Sequence, residues 1–408
     1  MALLDIFLSR AIKRGVLTVT YPNGKTSRFG NPDAELGEVA LRFTDNGAIR
    51  AVLRDPSVGT PEMFMNGRLL IEKGDVRDLL VLMTSNNRYE DGSNALQANI
   101  IGKSWNHLRF KIARYNMVRK SKRNVAHHYD LSDKLYELFL DSDRQYSCAY
   151  FTDPSNSLEQ AQMDKKAHIA AKLACEPGMT VLDIGCGWGG TALYLHEKLG
   201  VEVLGITLSE EQLKVARARA EAAGVADKVR FELIDYRHVT GTFDRIVSIG
   251  MFEHVGTPHY TTFFRKCHEL LKPDGVMLIH TIGRANGPNV TDAFTAKYIF
   301  PGGYIPAMSE VLSASEQMRW FVSDVETLRL HYAYTLNHWY NRVVAAHDAI
   351  VELYDERFYR LWTWYLAGSY ISFFYGALVN HQYQFVRDRH ALPITRDYMI
   401  AEEEKLRG

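Results

Sequence analysis

Residues 180–190 read Thr-Val-Leu-Asp-Ile-Gly-Cys-Gly-Trp-Gly-Gly, and the fold follows from where that run breaks. Val181, Leu182 and Ile184 make a short apolar stretch that stops at glycines 185, 187, 189 and 190. Thr191-Ala-Leu-Tyr-Leu-His-Glu-Lys-Leu then resumes at helical period. The order is strand, tight turn, helix. Glycine suits the turn because it adopts positive φ freely and lets a ligand approach the main chain. Asp183 stands just before the turn, placed to receive a ligand's ammonium group.

A dinucleotide-binding fold also has a glycine-rich first turn, but there an acid closing the second strand holds the ribose. Here the second strand, Glu202-Val-Leu-Gly-Ile-Thr207, runs into Leu-Ser without an acid, which weakens a phosphate-binding reading. VLDIGCGWGG resembles instead the S-adenosylmethionine (AdoMet) turn of class I methyltransferases. That resemblance names a cofactor and no substrate.

Outward from the turn, strands and helices alternate. Candidate strands are 180–185, 202–207, 228–234, 243–249 and 275–282, with helices near 190–200, 209–223 and 258–271. Such βα alternation predicts a mostly parallel, doubly wound sheet, with ligands beyond the carboxyl ends of its strands. The rule selects Asp183, Thr207 with Gln212, Asp235 with Tyr236, Glu253 with His254, and His280 with Thr281. Beyond 283 the pattern loosens. Gly302-Gly303-Tyr-Ile-Pro306 reads as an inserted loop and Val322 to Leu328 as a sixth strand. Helices are expected over Tyr332 to His347 and roughly Ala349 to Asn380, and Tyr383 to Arg387 as a final edge strand. Residues 320–398 hold 19 of the 47 aromatic residues, so this end builds something large and apolar.

At 408 residues the chain exceeds what one core supports, so two domains are expected. Residues 1–84 read as a small α/β unit: a helix from Ala2 to Lys13, a strand Val16-Leu-Thr-Val-Thr, a Pro22-Asn-Gly turn, strands at Glu38–Phe43 and Ile49–Leu53, and a closing helix from Asp75 to Met83. Residues 85–123 form a polar linker and a basic helix, and 124–408 the catalytic domain. Between Lys103 and Arg123 lie eight basic residues and no acid, with Trp105, Leu108, Ile112 and Tyr115 on one helical face. That pattern suits an anionic membrane surface, or a solvated helix on its own domain. The chain's net charge is zero, so the remainder is acidic, and no recognition fold accompanies the patch; nucleic acid is not expected as a partner.

Four cysteines, at 148, 175, 186 and 267, form no Cys-x-x-Cys pair, which points to a reduced chain without a structural metal. Charges interrupt Met1 to Thr20, so no secretory signal is expected. Residues 361–386 carry no Asp, Glu, Lys or Arg, but Thr363, Ser369, Ser372, Asn380, Gln382 and Gln384 interrupt them, and a buried helix is favoured over a membrane span.

Further strings narrow the reading: His127-His-Tyr-Asp-Leu-Ser132, Gln145-Tyr-Ser-Cys-Ala-Tyr-Phe151, Gly250-Met-Phe-Glu-His-Val-Gly256, Leu278-Ile-His-Thr-Ile-Gly283 and Lys297-Tyr-Ile-Phe-Pro-Gly302. Together they resemble the cyclopropane-fatty-acyl-phospholipid synthases from about residue 120 onward. The resemblance implies an AdoMet-dependent enzyme that adds a methylene across a cis double bond of a phospholipid acyl chain. It implies cofactor contacts at Tyr146, Ser147, Asp183, Gly185, Gly187, Thr207, Gln212, Asp235 and Tyr236. It also implies a bicarbonate ion held by Cys148, Glu253, His280 and Tyr332, with Tyr334 two residues away, and by the backbone at Ile282. An N-terminal domain for lipid handling and dimerisation, and a cytoplasmic homodimer peripheral to the inner face of the membrane, complete the expectation. Ser369 stands where some members carry a cysteine proposed as catalytic, so no cysteine nucleophile is assigned.

The chemistry suits these residue types. An isolated alkene has no proton to lose, so orientation against the sulfonium methyl supplies much of the rate. The resulting carbocation needs a dry aromatic wall, and ring faces stabilise it by up to about 2 kcal/mol. Closing the ring removes one acidic proton, for which bicarbonate suffices. Tyr332 and His280 can donate to the anion, and Glu253, when ionised, can accept. The same cation could instead give a methyl-branched or methylene-bearing chain. A methyltransferase acting on a soluble nucleophile, or a non-enzymatic AdoMet-binding or membrane-surface protein, stays open from sequence.

Overall fold

The computed structural model describes residues 2–92 and 131–407. The expected basic helix over 103–123, most of the linker and His127 to Asp130 lie outside the described residues. Contacts divide the chain into two units that do not follow chain order. The first takes Met1–His107, Thr291–Pro301 and Leu336–Ala377; the second takes Leu108–Val290, Gly302–Thr335 and Leu378–Gly408. Residues 336–377 therefore group with the N-terminal unit, not with one continuous catalytic stretch from 124 to 408.

The early elements are α1 (Ala2–Ala11), β1 (Val16–Thr20), β2 (Thr26–Phe29), β3 (Glu38–Phe43), α2 (Asn46–Arg54), α3 (Pro56–Met65), β4 (Leu69–Lys73) and α4 (Val76–Ser85). The four strands form one sheet in the order β2-β1-β3-β4. Residues 49–53, expected as a strand, are the heart of α2. The Asp45 carboxylate accepts from the N–H groups of Gly47 (2.8 Å) and Ala48 (3.0 Å), a cap that starts a helix. Ala48, Ile49 and Val52 then share its buried face.

The remaining elements are α5 (Asp133–Phe139), α6 (Leu158–Leu173), β5 (Thr180–Ile184), α7 (Gly190–Leu199), β6 (Glu202–Thr207), α8 (Glu210–Ala222), β7 (Val229–Leu233), β8 (Phe243–Ile249), α9 (Tyr260–Leu270), β9 (Leu271–Arg284), α10 (Ala293–Tyr298), α11 (Met308–Gln317), β10 (Phe321–Leu328), α12 (His331–Ala345), α13 (His347–Leu353), α14 (Glu356–Phe374), β11 (Leu378–Val386) and α15 (Asp397–Arg407). The single helix expected over 349–380 is interrupted. Asp355 accepts from the Phe358 N–H at 2.6 Å and begins α14 as a new helix, and α14 gives way to β11. Among the described residues no helix is long and apolar enough to cross a membrane.

Seven strands of the second unit form a sheet in the order β10-β11-β9-β8-β5-β6-β7. From β9 to β7 neighbouring strands run parallel, and β11 and β10 add antiparallel. The expected edge strand at 383–387 is thus part of an interior strand, and β10 takes the edge. Residues Asn380 to Val386 are all buried, which an edge position would not achieve.

Packing on this sheet comes in two kinds. Phe252, Tyr260, Phe263, Phe264 and Phe385 make an aromatic core with edge-on and stacked ring pairs. Against β9 lies α6, whose Gln162, Asp164, Lys165, Lys166, His168 and Lys172 are all buried. A buried charge persists only when paired, and Lys166, His168 and Lys172 meet carboxylates. Lys166 Nζ donates to Asp143 (2.7 Å), His168 lies between Glu326 (2.7 Å) and Glu403 (2.8 Å), and Lys172 meets Glu326 and Gln382. At the helix end, Arg245 from β8 donates to the free carbonyls of Leu173 (2.6 Å) and Ala174 (2.7 Å), satisfying acceptors the helix leaves over.

Candidate active site

A cavity opens at the carboxyl ends of the parallel strands, bounded by the turn after β5, the ends of β6 and β8, and the loop 144–147. Its wall includes Tyr146, Ser147, Asp183, Gly185, Gly187, Thr207, Gln212, Asp235 and Tyr236, all nine residues expected at a cofactor site. Gly185 has φ +87°, and a Cβ there would sit 2.8 Å from Cβ of Met251. The turn can therefore come this close to the next loop only without a side chain.

Asp183 and Asp235 are buried carboxyl groups on this wall, and Asp183 is the deeper. One of its oxygens, Oδ2, has no hydrogen-bond partner, and burial pushes the carboxyl up to about 7, against the pull of the nearby Lys165 ammonium. Thr207 donates its hydroxyl proton to Gln212 Oε1 at 3.0 Å, joining the end of β6 to the first turn of α8. Burial alone would raise Asp235, but Arg237, donating from Nε at 2.8 Å and from a terminal nitrogen, holds it below the ordinary carboxylate value.

Lys165 was not expected from sequence. Its ammonium donates to Gln145 Oε1 and Ser147 Oγ, both at 2.8 Å, and burial lowers it to about 8. It braces the loop that carries Tyr146 from beneath. Trp188 and His254 also line the cavity. Trp188 sits inside the glycine run, a signal that was there to read; burial holds His254 down at about 4.

The five residues expected at an anion site, Cys148, Glu253, His280, Ile282 and Tyr332, are not among the residues that line this cavity. Met251 and His254 form part of its wall, and Glu253 between them is buried with its side chain turned to β9. There Oε1 accepts the Ile282 N–H at 2.7 Å, so the backbone donor expected to meet an anion is engaged by the carboxyl group. Oε2 is buried without a partner, and burial raises the group to about 7. His280, two residues before Ile282 on β9, is buried and strongly held in the neutral form, first by burial and then by the Lys165 and Lys172 charges. Its carbonyl accepts the Gly250 N–H at 2.9 Å, which ties it to the end of β8.

Cys148 is buried, its thiol raised far above the ordinary range by burial. That suits a neutral S–H donor and not a nucleophile. Thr335 of α12 accepts the Ala149 N–H at 3.0 Å, fixing the Cys148 loop to that helix, and Tyr332 lies buried one turn away. Tyr334 packs its ring edge-on against Phe151.

The sheet order and the rim define a class: the Rossmann-like fold of AdoMet-dependent methyltransferases. A family model described as mycolic acid cyclopropane synthetase matches residues 116–383, and the chain belongs to that family and is an enzyme of the methyltransferase class. The cyclopropane-fatty-acyl-phospholipid synthase of Escherichia coli (strain K12) is 38% identical over 336 residues, covering 81% of this chain and 84% of that protein. A probable fatty acid methyltransferase of Pseudomonas putida is 40% identical over 293 residues, 69% of this chain and 74% of its own length. The crystal structure of the mycolic acid cyclopropane synthase CmaA1, complexed with SAH and CTAB, is similar with a TM-score of 0.62 and 36% identity, covering 65% of this chain and 97% of that one.

Proposed function

We propose that this enzyme transfers a methylene from AdoMet to a cis double bond of an unsaturated phospholipid acyl chain, closing a cyclopropane ring with a bound bicarbonate as base. One observation carries the reading: the loop that walls the cofactor cavity at Met251 and His254 also carries Glu253, whose Oε2 is buried and unpartnered while Oε1 is held by β9. One short loop thereby joins the cofactor cavity to a carboxyl group able to handle a proton.

The residues fit both groups. Asp183, whose Oδ2 is buried without a partner beside a glycine turn, suits the cationic end of AdoMet, and Thr207 with Gln212 offers polar atoms to its sugar. Glu253 at about 7, a neutral His280 and the Tyr332 hydroxyl suit a small oxyanion. AdoMet when bound supplies an electrophilic methyl, and bicarbonate a base for the proton lost on ring closure. Glu253 exchanges a proton at Oε2 while Oε1 keeps the Ile282 amide. His280 and Tyr332 orient the anion by donation, and Cys148 closes the pocket against water as a neutral thiol. Residues 103–123 hold the protein to the inner face of the membrane from the cytoplasm, each cation adding about 1 kcal/mol, and the enzyme acts as a homodimer.

Incubation of the purified protein with AdoMet and liposomes of unsaturated phospholipid gives lipid heavier by one CH2 per double bond, with a ring by gas chromatography. Absence of such a product with every lipid tried sinks the reading. A methyl-branched chain would favour the second one, to which the name of the Pseudomonas putida relative points.

A further inference from the structure

His280 is faced by two amides. Gln382 stands directly opposite it across the β9–β11 ladder, and Asn380 opposite Ile282 is the diagonal neighbour on the same face. Gln382 Nε2 lies 3.1 Å from His280 Nδ1, and Asn380 Nδ2 lies 3.1 Å from His280 Nε2. A neutral imidazole has one N–H and one lone pair, so it cannot accept from both.

Which amide yields is decided one residue further out. Lys172 Nζ is 2.8 Å from Gln382 Oε1. An ammonium only donates, so Gln382 must present oxygen to it and N–H to the histidine. Lys172 is fixed in turn by Glu326, which also meets His168. Among the described residues Asn380 has no comparable anchor; its other contact there is a 3.5 Å approach to the His381 carbonyl. The Asn380 amide is the one that turns, offering oxygen.

We propose that Gln382, oriented by Lys172, is a positioning residue that keeps the proton of His280 on Nε2 and so makes Nε2–H the ring's single donor. The catalytic half of this rests on the anion reading above, in which His280 donates to bicarbonate; the tautomer does not. Asn380 Oδ1 receives Nε2–H until an anion replaces it.

Gln382→Glu tests this. Its carboxylate still accepts from Lys172 but has no N–H, so His280 must protonate Nδ1. Ring 1H–15N correlation spectra of histidine-labelled enzyme, with His280 assigned by His280→Gln, are expected to show Nε2–H in the wild type and Nδ1–H in Gln382→Glu. With it, kcat falls about 100-fold while the dissociation constant for AdoMet stays within about twofold. Gln382→Met, which adds no charge, gives mixed tautomers and a smaller loss of kcat, and serves if the glutamate variant does not fold. A wild-type spectrum with the proton on Nδ1 overturns the assignment, and a flipped tautomer with wild-type kcat overturns the positioning role. Wild-type turnover unaffected by stripping bicarbonate from the buffer overturns the anion reading and the catalytic half with it, while the spectrum still judges the tautomer.

Discussion

On one side of β9, strands β8, β5, β6 and β7 run parallel and bury mainly Val, Leu, Ile and Phe. On the other side, β11 buries Asn380, His381, Gln382 and Gln384 in consecutive or alternate positions, against a helix whose lysines and histidine are also buried. The first half is held by burial, which has no direction and degrades by degrees. The second is held by pairs, each of which leaves a costly orphan when its partner goes. The cofactor cavity sits at the end of the first half, and His280 lies where the second begins.

Four measurements probe that contrast. The largest effect is expected from Lys172→Met, which leaves Glu326 and Asp324 without their shared cation and costs up to about 5 kcal/mol in denaturant unfolding. A loss no larger than that of a surface substitution would erase the distinction between the halves. Glu253→Gln comes next, with kcat down by about 100-fold to 1,000-fold and AdoMet binding by calorimetry unchanged; weakened binding instead would merge the two sites. Asp183→Asn weakens AdoMet about 10-fold to 100-fold. Asp183 lies at about 7, and a cationic ligand binds its ionised form, so wild-type affinity falls by up to about tenfold per pH unit below that value and levels off above it. The asparagine variant loses that slope. The smallest effect belongs to the apolar half: Ile246→Val on β8 costs about 1 kcal/mol.

The same contrast explains what could be read from the sequence. Strands β5, β6 and β8 are buried over most of both faces, so their apolar residues cluster between turn signals, and 202–207 and 243–249 agree with β6 and β8 to the residue. The rim rule then gathers five of the nine cavity residues, Asp183, Thr207, Gln212, Asp235 and Tyr236, without reference to their packing, and the family resemblance adds Tyr146, Ser147, Gly185 and Gly187. In Ile49–Leu53 the β-branched Ile49 and Val52 mask a helix whose signal is the Asp45 cap. The break in 349–380 likewise lies in one cap, at Asp355. Lys165, Lys172 and Gln382 could not be found by pattern at all. Lys172 and Gln382 are separated by 210 residues, and a buried lysine looks in sequence like any lysine on a wet helix face.

The place of β11 has a consequence for synthesis. It lies between β9 and β10, both of which precede it in the chain, so during translation those two strands wait with unpaired edges until residue 386 has emerged. Exposed edges of this kind invite pairing with the wrong chain. A ribosome that stalls after β10 would release a sheet with its gap unfilled and its histidine without the amide opposite, a sticky fragment with no means of premature catalysis.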